Sequence, residues 1–280
     1  MVTFIFVRHG ESKDNTRSLW AGWRDAPLTN HGMSQARALG EAFATIHFKA
    51  LHCSDLKRTI MTADAIHGAQ MDPKPTRYSS MLLREQNYGS AEGKRWDSPR
   101  IDGLTLEEHY SKGMYPVLRG RSKRFPGGES LEDLEIRAER VIDEILMPYV
   151  RDEADGDAHI AIVSHGNFLS ELVAALVKRD KPTSRNIHGC RGMKNTGWTR
   201  VVVTTKGLDP EATSDHSGLE LVDVRVTQVN NHDHLLPLKR QRGGIGSSVY
   251  DPQQKDIRGF FRGTRRKKSS EGRGKPNYRE

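Results

Sequence analysis

Only two cysteines, Cys53 and Cys190, occur in 280 residues, so no disulfide framework organises the chain. No uninterrupted apolar run is long enough to span a membrane, and no basic stretch precedes the first apolar run as a secretory leader would require. No internal repeat is visible, and no pattern of a folded nucleic-acid module is present, which argues against sequence-specific recognition. These absences make a reducing compartment, cytosolic or nuclear, the expectation, with no membrane partner.

What the chain does have is charge, unevenly placed. Of its 44 Lys and Arg, 13 fall between Asn231 and Glu280, against 5 of its 36 Asp and Glu. The first 230 residues therefore carry 31 charges of each sign and are neutral, and the net +8 belongs to the end of the chain. This division suggests two units: a body over residues 1–230 and a basic tail over 231–280, rich in Gly and Ser and expected to be disordered.

Within the body, apolar runs alternate with helical periodicity. Val2 to Val7 reads as a buried strand, and Thr29 as the cap of a helix bearing Met33, Ala36, Leu39, Ala42 and Phe43. Phe48 to Cys53 reads as a second strand, followed by a helix opened by Asp55; Tyr78 to Arg84 is a weaker extended segment. A polar stretch from about Tyr88 to Arg124 contains one short helix, LTLEEHY. Ser130 with Asp133 opens a helix to Val150 with the stripe Leu131, Leu134, Ile136, Val141 and Ile145. HIAIVS at His159 to Ser164 is a strand, Asn167 to Lys178 a helix, and Trp198 to Thr205 and Leu221 to Val229 are late strands. Such alternation predicts a three-layer α/β/α sandwich around a mostly parallel central sheet, with the disordered tail after it.

Four fragments carry the chemistry. Arg8-His9-Gly10 follows the first strand, Arg58 sits in the first turn of the helix after CSDLKRT, Glu85 lies in LLREQNYGSAEG, and His165-Gly166-Asn167 follows HIAIVS. Three of these are strand-end positions, which converge on the carboxyl edge of a parallel sheet, where such sheets bind ligands. Singly each has an ordinary reading: a structural histidine, a solvated arginine, a surface carboxylate. Jointly, two histidines, two arginines and a carboxylate suit phosphoryl transfer, in which charge collects on the equatorial oxygens and catalysis is positioning and electrostatics. Arg8 and Arg58 supply permanent forks matched to phosphate. A neutral His9 can attack phosphorus, a protonated His165 can stabilise the oxygens, and Glu85 can protonate the leaving oxygen and then activate water. No metal or other cofactor is required, because the side chains carry the positive charge.

The set VRHGESKDN, GWRDAPLTNHG, CSDLKRT, LREQNYGSAEG, FPGGESLEDLEIR and VSHGN, in that order, resembles the histidine phosphatase superfamily, in its phosphoglycerate mutase-like branch, over roughly Met1 to Thr205. The resemblance implies that fold, with His9 as the phosphorylated nucleophile, Glu85 as the proton donor, and Arg8, Arg58 and His165 completing the phosphate pocket. It also implies substrate contacts at Asn15, Gly22, Tyr88 and Asn167. Phosphoglycerate mutases hold a second substrate charge with bases in the insertion before GES. Here the insertion has Lys94, Arg95, Arg119, Arg121, Lys123 and Arg124 at a spacing that fits poorly, and EEHYSKGMYPVLRGRSKRFPGGES resembles the bisphosphatase version more closely. A phosphatase acting on an unidentified phosphorylated substrate is the expectation. A mutase and a non-catalytic phosphatase-like scaffold in a nuclear, DNA-associated complex stay open.

One patch in the tail, DPQQKDIRGFFRGTRRKK, places Gln254, Ile257, Phe260 and Phe261 so that one helical turn would present three apolar plugs and a polar anchor. It resembles the PIP box, the peptide that docks on the sliding clamp PCNA, and the flanking Arg and Lys would assist on an acidic surface. The same basic run suits a nuclear address and weak, non-specific contact with nucleic-acid phosphates. A nuclear location, with a cytoplasmic pool not excluded, is therefore expected.

Overall fold

The computed structural model describes residues 1–152, 157–180, 191–204 and 222–253. Its first element is β1 (Val2–Arg8), in which every residue but the last is buried. Alternation across the pleat sends β1 side chains to two different cores. Val2, Phe4 and Phe6 pack in one apolar cluster, and Ile5 and Val7 in another. Burying a side chain of this size contributes about 1.5–3 kcal/mol, so this strand anchors both layers.

The sheet is completed by β2 (Phe48–Ser54), β3 (Thr76–Ser80), β4 (Ala158–Ser164), β5 (Trp198–Thr204) and β6 (Asp223–Asn231), in the order β3-β2-β4-β1-β5-β6. The pairs β3–β2, β2–β4 and β4–β1 are parallel, whereas β5 and β6 add antiparallel strands at one edge. The expected α/β sandwich with a mostly parallel sheet is thus present, three of its five strand pairs parallel and two antiparallel. Helices α1 (Asn30–Ala42) and α2 (Lys57–Ala69) cover the Ile5/Val7 face through Leu39, Phe43, Ala63 and Ile66. A short α3 (Leu106–Ser111) lies in the long insertion, closed by a capping box between Thr105 and Glu108. The opposite face is covered by α4 (Leu131–Val141), α5 (Met147–Asp152) and α6 (Gly166–Lys178). Because α1 follows β1 and α6 follows the adjacent β4 onto opposite faces, a crevice opens beyond the carboxyl ends of these two strands.

Two expectations are corrected here. The helix over Ser130 to Val150 begins at the Ser130–Asp133 capping box as read, but a wider π turn at Ile142–Leu146 interrupts it. Its buried stripe runs Leu134, Ala138, Val141, Ile142, Leu146, while Ile136 is 64% exposed. Two residues after Leu134 is about 200° round the helix, so Ile136 faces away.

The second correction concerns the boundary at residue 230. The compact unit extends to Tyr250. Residues 231–250 form short turns tied to the body by main-chain and polar contacts. Tyr250 N donates to Leu28 O and Asn30 N to Ser248 O, both at 2.9 Å. Arg240 pairs with Glu11, Arg37 reaches the Tyr250 hydroxyl, and His234 Nε2 meets Thr196 Oγ1 at 2.9 Å. A strap held this way has no apolar period, which is why its sequence reads as unstructured. Gln254, Ile257, Phe260 and Phe261 lie outside the described residues.

Candidate active site

Register places the two histidines side by side. Arg8 of β1 pairs with Ser164 of β4, and His9 N extends the ladder to Ser164 O at 3.0 Å. The next residues, His9 and His165, therefore emerge together with ring centroids 5.1 Å apart. After His9 the chain must turn against the start of α1, and a Cβ on Gly10 would lie 2.6 Å from Gly32 O. Glycine at position 10 is thus required by the close approach of the two backbones.

The tautomer of His9 follows from its partner. His9 Nδ1 lies 2.7 Å from Gly10 O, and a carbonyl can only accept, so Nδ1 carries the proton. Burial, reinforced by the Arg58 and Arg8 charges, holds the His9 pKa well below the usual imidazole range. The ring is neutral, and its lone pair is on Nε2, free to act as a nucleophile.

Arg58, in the first turn of α2, is 1% exposed. Its Nη1 donates to Arg24 O at 2.6 Å, its Nη2 to Gly22 O at 2.7 Å and its Nε to His165 Nδ1 at 3.2 Å. Burial lowers its pKa to about 10, which leaves it charged at neutral pH. Because Nδ1 of His165 accepts from Arg58, a neutral His165 holds its proton on Nε2. Burial and the neighbouring Arg58 charge keep His165 neutral. From sequence, His165 has a role if protonated; beside a buried guanidinium a second cation is unfavourable, so the residue offers a neutral N–H instead.

Arg8, its own pKa lowered by burial, gives one guanidinium N–H to Met193 O. Its Nε and the Nε2 of His165 are buried with no hydrogen-bond partner among the described residues. Orphaned buried donors cost about 1–3 kcal/mol each, and two at one site fit an anion that would satisfy them.

Glu85 sits at the N-terminus of α6. Its Oε1 accepts from Gln86 N at 2.9 Å and Phe168 N at 3.0 Å, and Oε2 from Asn167 N at 3.2 Å. Asn167 Nδ2 donates to the Tyr88 hydroxyl at 2.9 Å, and burial raises the Tyr88 pKa well above its usual value. Gly22, at φ +44°, hands its carbonyl to Arg58, and a Cβ there would strike the Glu92 carboxylate. Asn15 Oδ1 accepts from Ser12 N and Ser12 Oγ, both at 3.0 Å.

A cavity of about 400 Å³ gathers Arg8, His9, Asn15, Gly22, Arg58, Glu85, Tyr88 and Asn167 on its walls. Of the nine residues singled out in the body, only His165 is not on the wall; it stands against His9 and Arg58. None of the six insertion bases lines this cavity. Arg95 pairs with Asp97, Arg121 with Glu135 and Glu171, and Arg124 with Asp133, so their charges are committed within the fold.

Several supporting residues were missed from sequence. Arg137 of α4 donates to the carbonyls of Leu82, Arg84 and Glu85 and pairs with Glu129 at 2.8 Å. It thereby fixes the segment that carries Glu85, which accounts for the fragment FPGGESLEDLEIR. Asn195 Nδ2 donates to His9 O at 3.0 Å, and Thr196 N to Arg8 O at 2.9 Å. Arg137 lies inside that fragment, but nothing in the local pattern separates it from the other charges of an amphipathic helix. Asn195 had no signal, because only the antiparallel pairing of β5 on β1 brings it near.

The buried Arg58, the half-buried Arg8 and two buried histidines meet beside a cavity at the carboxyl edge of an α/β sheet, an arrangement that suits a phosphoryl-sized anion. The chain belongs to the histidine phosphatase superfamily (branch 1), whose pattern matches residues 4–216. It is 31% identical over 176 residues to a 2,3-bisphosphoglycerate-dependent phosphoglycerate mutase of Brucella ovis, covering 62% of this chain and 81% of that protein. Among solved structures, a phosphoglycerate mutase from Bacillus anthracis is 25% identical with a TM-score of 0.60, over 84% of this chain and 95% of that one. A mycobacterial glucosyl-3-phosphoglycerate phosphatase, 22% identical, matches with a TM-score of 0.60 over 81% of this chain and 98% of that one. A phosphoserine phosphatase from Entamoeba histolytica, also 22% identical, matches with a TM-score of 0.57 over 84% of this chain and 100% of that one. At those identities the two phosphatases share the fold. The superfamily thus joins mutases and phosphatases on one architecture.

Arg58→Lys tests the geometry, since it keeps the charge but cannot reach Gly22 O, Arg24 O and His165 together. The expected result is inhibition by inorganic phosphate weakened about tenfold and kcat/KM lowered on the order of a hundredfold. Unchanged phosphate affinity would show that the fork is not part of the anion site.

Proposed function

We propose that the chain is a phosphomonoester hydrolase working through phospho-His9. The observation that carries this reading is a neutral His9, with its Nε2 lone pair free, near the charges of Arg58 and Arg8 and beside the orphaned N–H of His165. In the first step His9 Nε2 attacks phosphorus and the bond from phosphorus to the ester oxygen breaks, while the Glu85 carboxyl gives that oxygen its proton. In the second, water attacks the phosphorus of phosphohistidine and yields its proton to the Glu85 carboxylate. The P–N bond breaks, releasing inorganic phosphate and neutral His9. Arg8 and Arg58 balance the equatorial charge in both steps, and His165 donates a hydrogen bond to it.

Hydrolysis is favoured over transfer between two positions of an acid phosphate because, among the described residues, the cavity wall has no Lys or Arg besides Arg8 and Arg58. A mutase acting on phosphoglycerate has to hold a carboxylate and two alternating phosphate positions. The basic tail extends the reading to a nuclear protein docked on the sliding clamp through Gln254, Ile257, Phe260 and Phe261, on the strength of the sequence pattern alone. Titrating a labelled peptide of residues 250–268 against the clamp tests this: micromolar binding lost on Phe260→Ala/Phe261→Ala is expected, and no binding removes the tether.

Turnover of an aryl phosphate that persists in EDTA, with an acid-labile, base-stable label on the protein, is expected for the wild type. His9→Ala should abolish both label and turnover. An active protein without label, or a fully active His9→Ala, would refute the phosphohistidine route. An inactive, unlabelled wild type would leave a scaffold.

A further inference from the structure

The cavity has two chemically distinct parts. Its charged lining is Arg8, Arg58 and Glu85, beside His9, and its apolar lining includes Leu19, Trp20, Trp96, Val117 and Met193. The cationic lining suffices for one phosphoryl group, since three of the Arg58 N–H groups and one of Arg8 are already given to the protein. Among the described residues no other Lys or Arg reaches the wall. A second anionic group on the substrate, such as the carboxylate of phosphoserine or phosphoglycerate, would therefore face apolar side chains and be desolvated without a partner.

The apolar wall is itself organised. Trp20 is fixed by Tyr88 and Phe125, with ring centroids 4.5 and 5.4 Å away, and by its indole N–H donating to Tyr115 O at 2.9 Å. Trp96 and Val117 are 46% and 55% exposed, so large apolar surface on the cavity wall is left open to solvent. Concave sites lined this way, with a few convergent polar groups at one end, take ligands whose bulk is apolar. Lys123 and Arg124 line a second, smaller cavity of about 140 Å³, which shares Trp20, Tyr88, Val117 and Asn167 with the first. Arg124 is already paired with Asp133.

We infer, resting on the hydrolase reading above, that the substrate is an aromatic phosphomonoester: its phosphoryl group lies on Arg8, Arg58 and His9, and its aromatic alcohol side lies against Trp20, Trp96 and Val117. Aromatic rings gain from packing on indole and phenol rings beyond the area they bury. The cavity thus separates this chain from relatives named for small acid phosphates, by what its wall lacks as well as by what it offers.

The test compares ligands that differ only in the non-phosphoryl half. Calorimetric titration of the full chain with benzylphosphonate and with phosphonoacetate reads recognition without turnover. Rates on benzyl phosphate and phosphoserine, both esters of primary alcohols, read it in catalysis. Benzylphosphonate is expected to bind at least about tenfold tighter, the gain supplied by roughly 55 Å² of newly buried apolar surface. Trp96→Ala should shrink that ratio severalfold, and kcat/KM should favour benzyl phosphate by a similar factor. Phosphonoacetate binding as tightly as benzylphosphonate, or a ratio indifferent to Trp96→Ala, would overturn the inference whether or not the protein turns over. Tight benzylphosphonate binding with neither ester cleaved and no labelled His9 would uphold the aromatic site and defeat the hydrolase reading instead.

Discussion

The Arg58 guanidinium is almost wholly withdrawn from solvent and held by the carbonyls of Gly22 and Arg24 and by the ring of His165. A buried cation with no carboxylate hydrogen-bonded to it is costly unless something negative arrives. The surroundings are arranged around that debt. His9 and His165 remain neutral beside it, the 14–25 loop is drawn in through its carbonyls, and the unpartnered Arg8 Nε and His165 Nε2 face the same requirement. The site is thus preorganised for an anion before any anion is present, which is the condition under which electrostatic stabilisation acts without reorganisation.

Placement of these groups rests on the sheet. Parallel pairing of β1 with β4 sets His9 beside His165, and the strand–helix turn after β2 puts Arg58 in the first turn of α2. Glu85 comes from outside this scheme, on a segment without regular pairing. Arg137 and Glu129 hold it from α4 while the first backbone amides of α6 hold its carboxylate. The acid and the nucleophile therefore belong to different supports, joined through α6, and α6 begins immediately after His165.

Much of this was legible in the sequence for physical reasons that can be named. VTFIFVRHG announces a buried strand ending in a cation and an imidazole, and Ser130 with Asp133 announces a helix start by a reciprocal cap. What was not legible depends on long-range contacts that leave no local period. Arg137 looks like one more charge on an amphipathic helix, Asn195 like loop polarity, and residues 231–250 like a solvated tail until their main-chain bonds to the 28–30 segment are seen. The insertion bases had two readings in the sequence. Arg95, Arg121 and Arg124 could be read as contacts for a polyanionic substrate or as charges solvating a loop; each meets a carboxylate of its own fold, and none lines the cavity.

The account turns on the protonation state of His9, and nitrogen NMR of histidine-labelled protein reads it directly, with His9→Gln supplying the assignment. The prediction is a neutral ring with its proton on Nδ1 and a pyridine-like Nε2. This signal should hold unchanged from about pH 7.5 to about 5.5, where an ordinary histidine gains a proton. A His9 imidazolium at neutral pH, or a neutral ring with its proton on Nε2, would leave no lone pair on Nε2 to attack phosphorus and would contradict the phosphohistidine route.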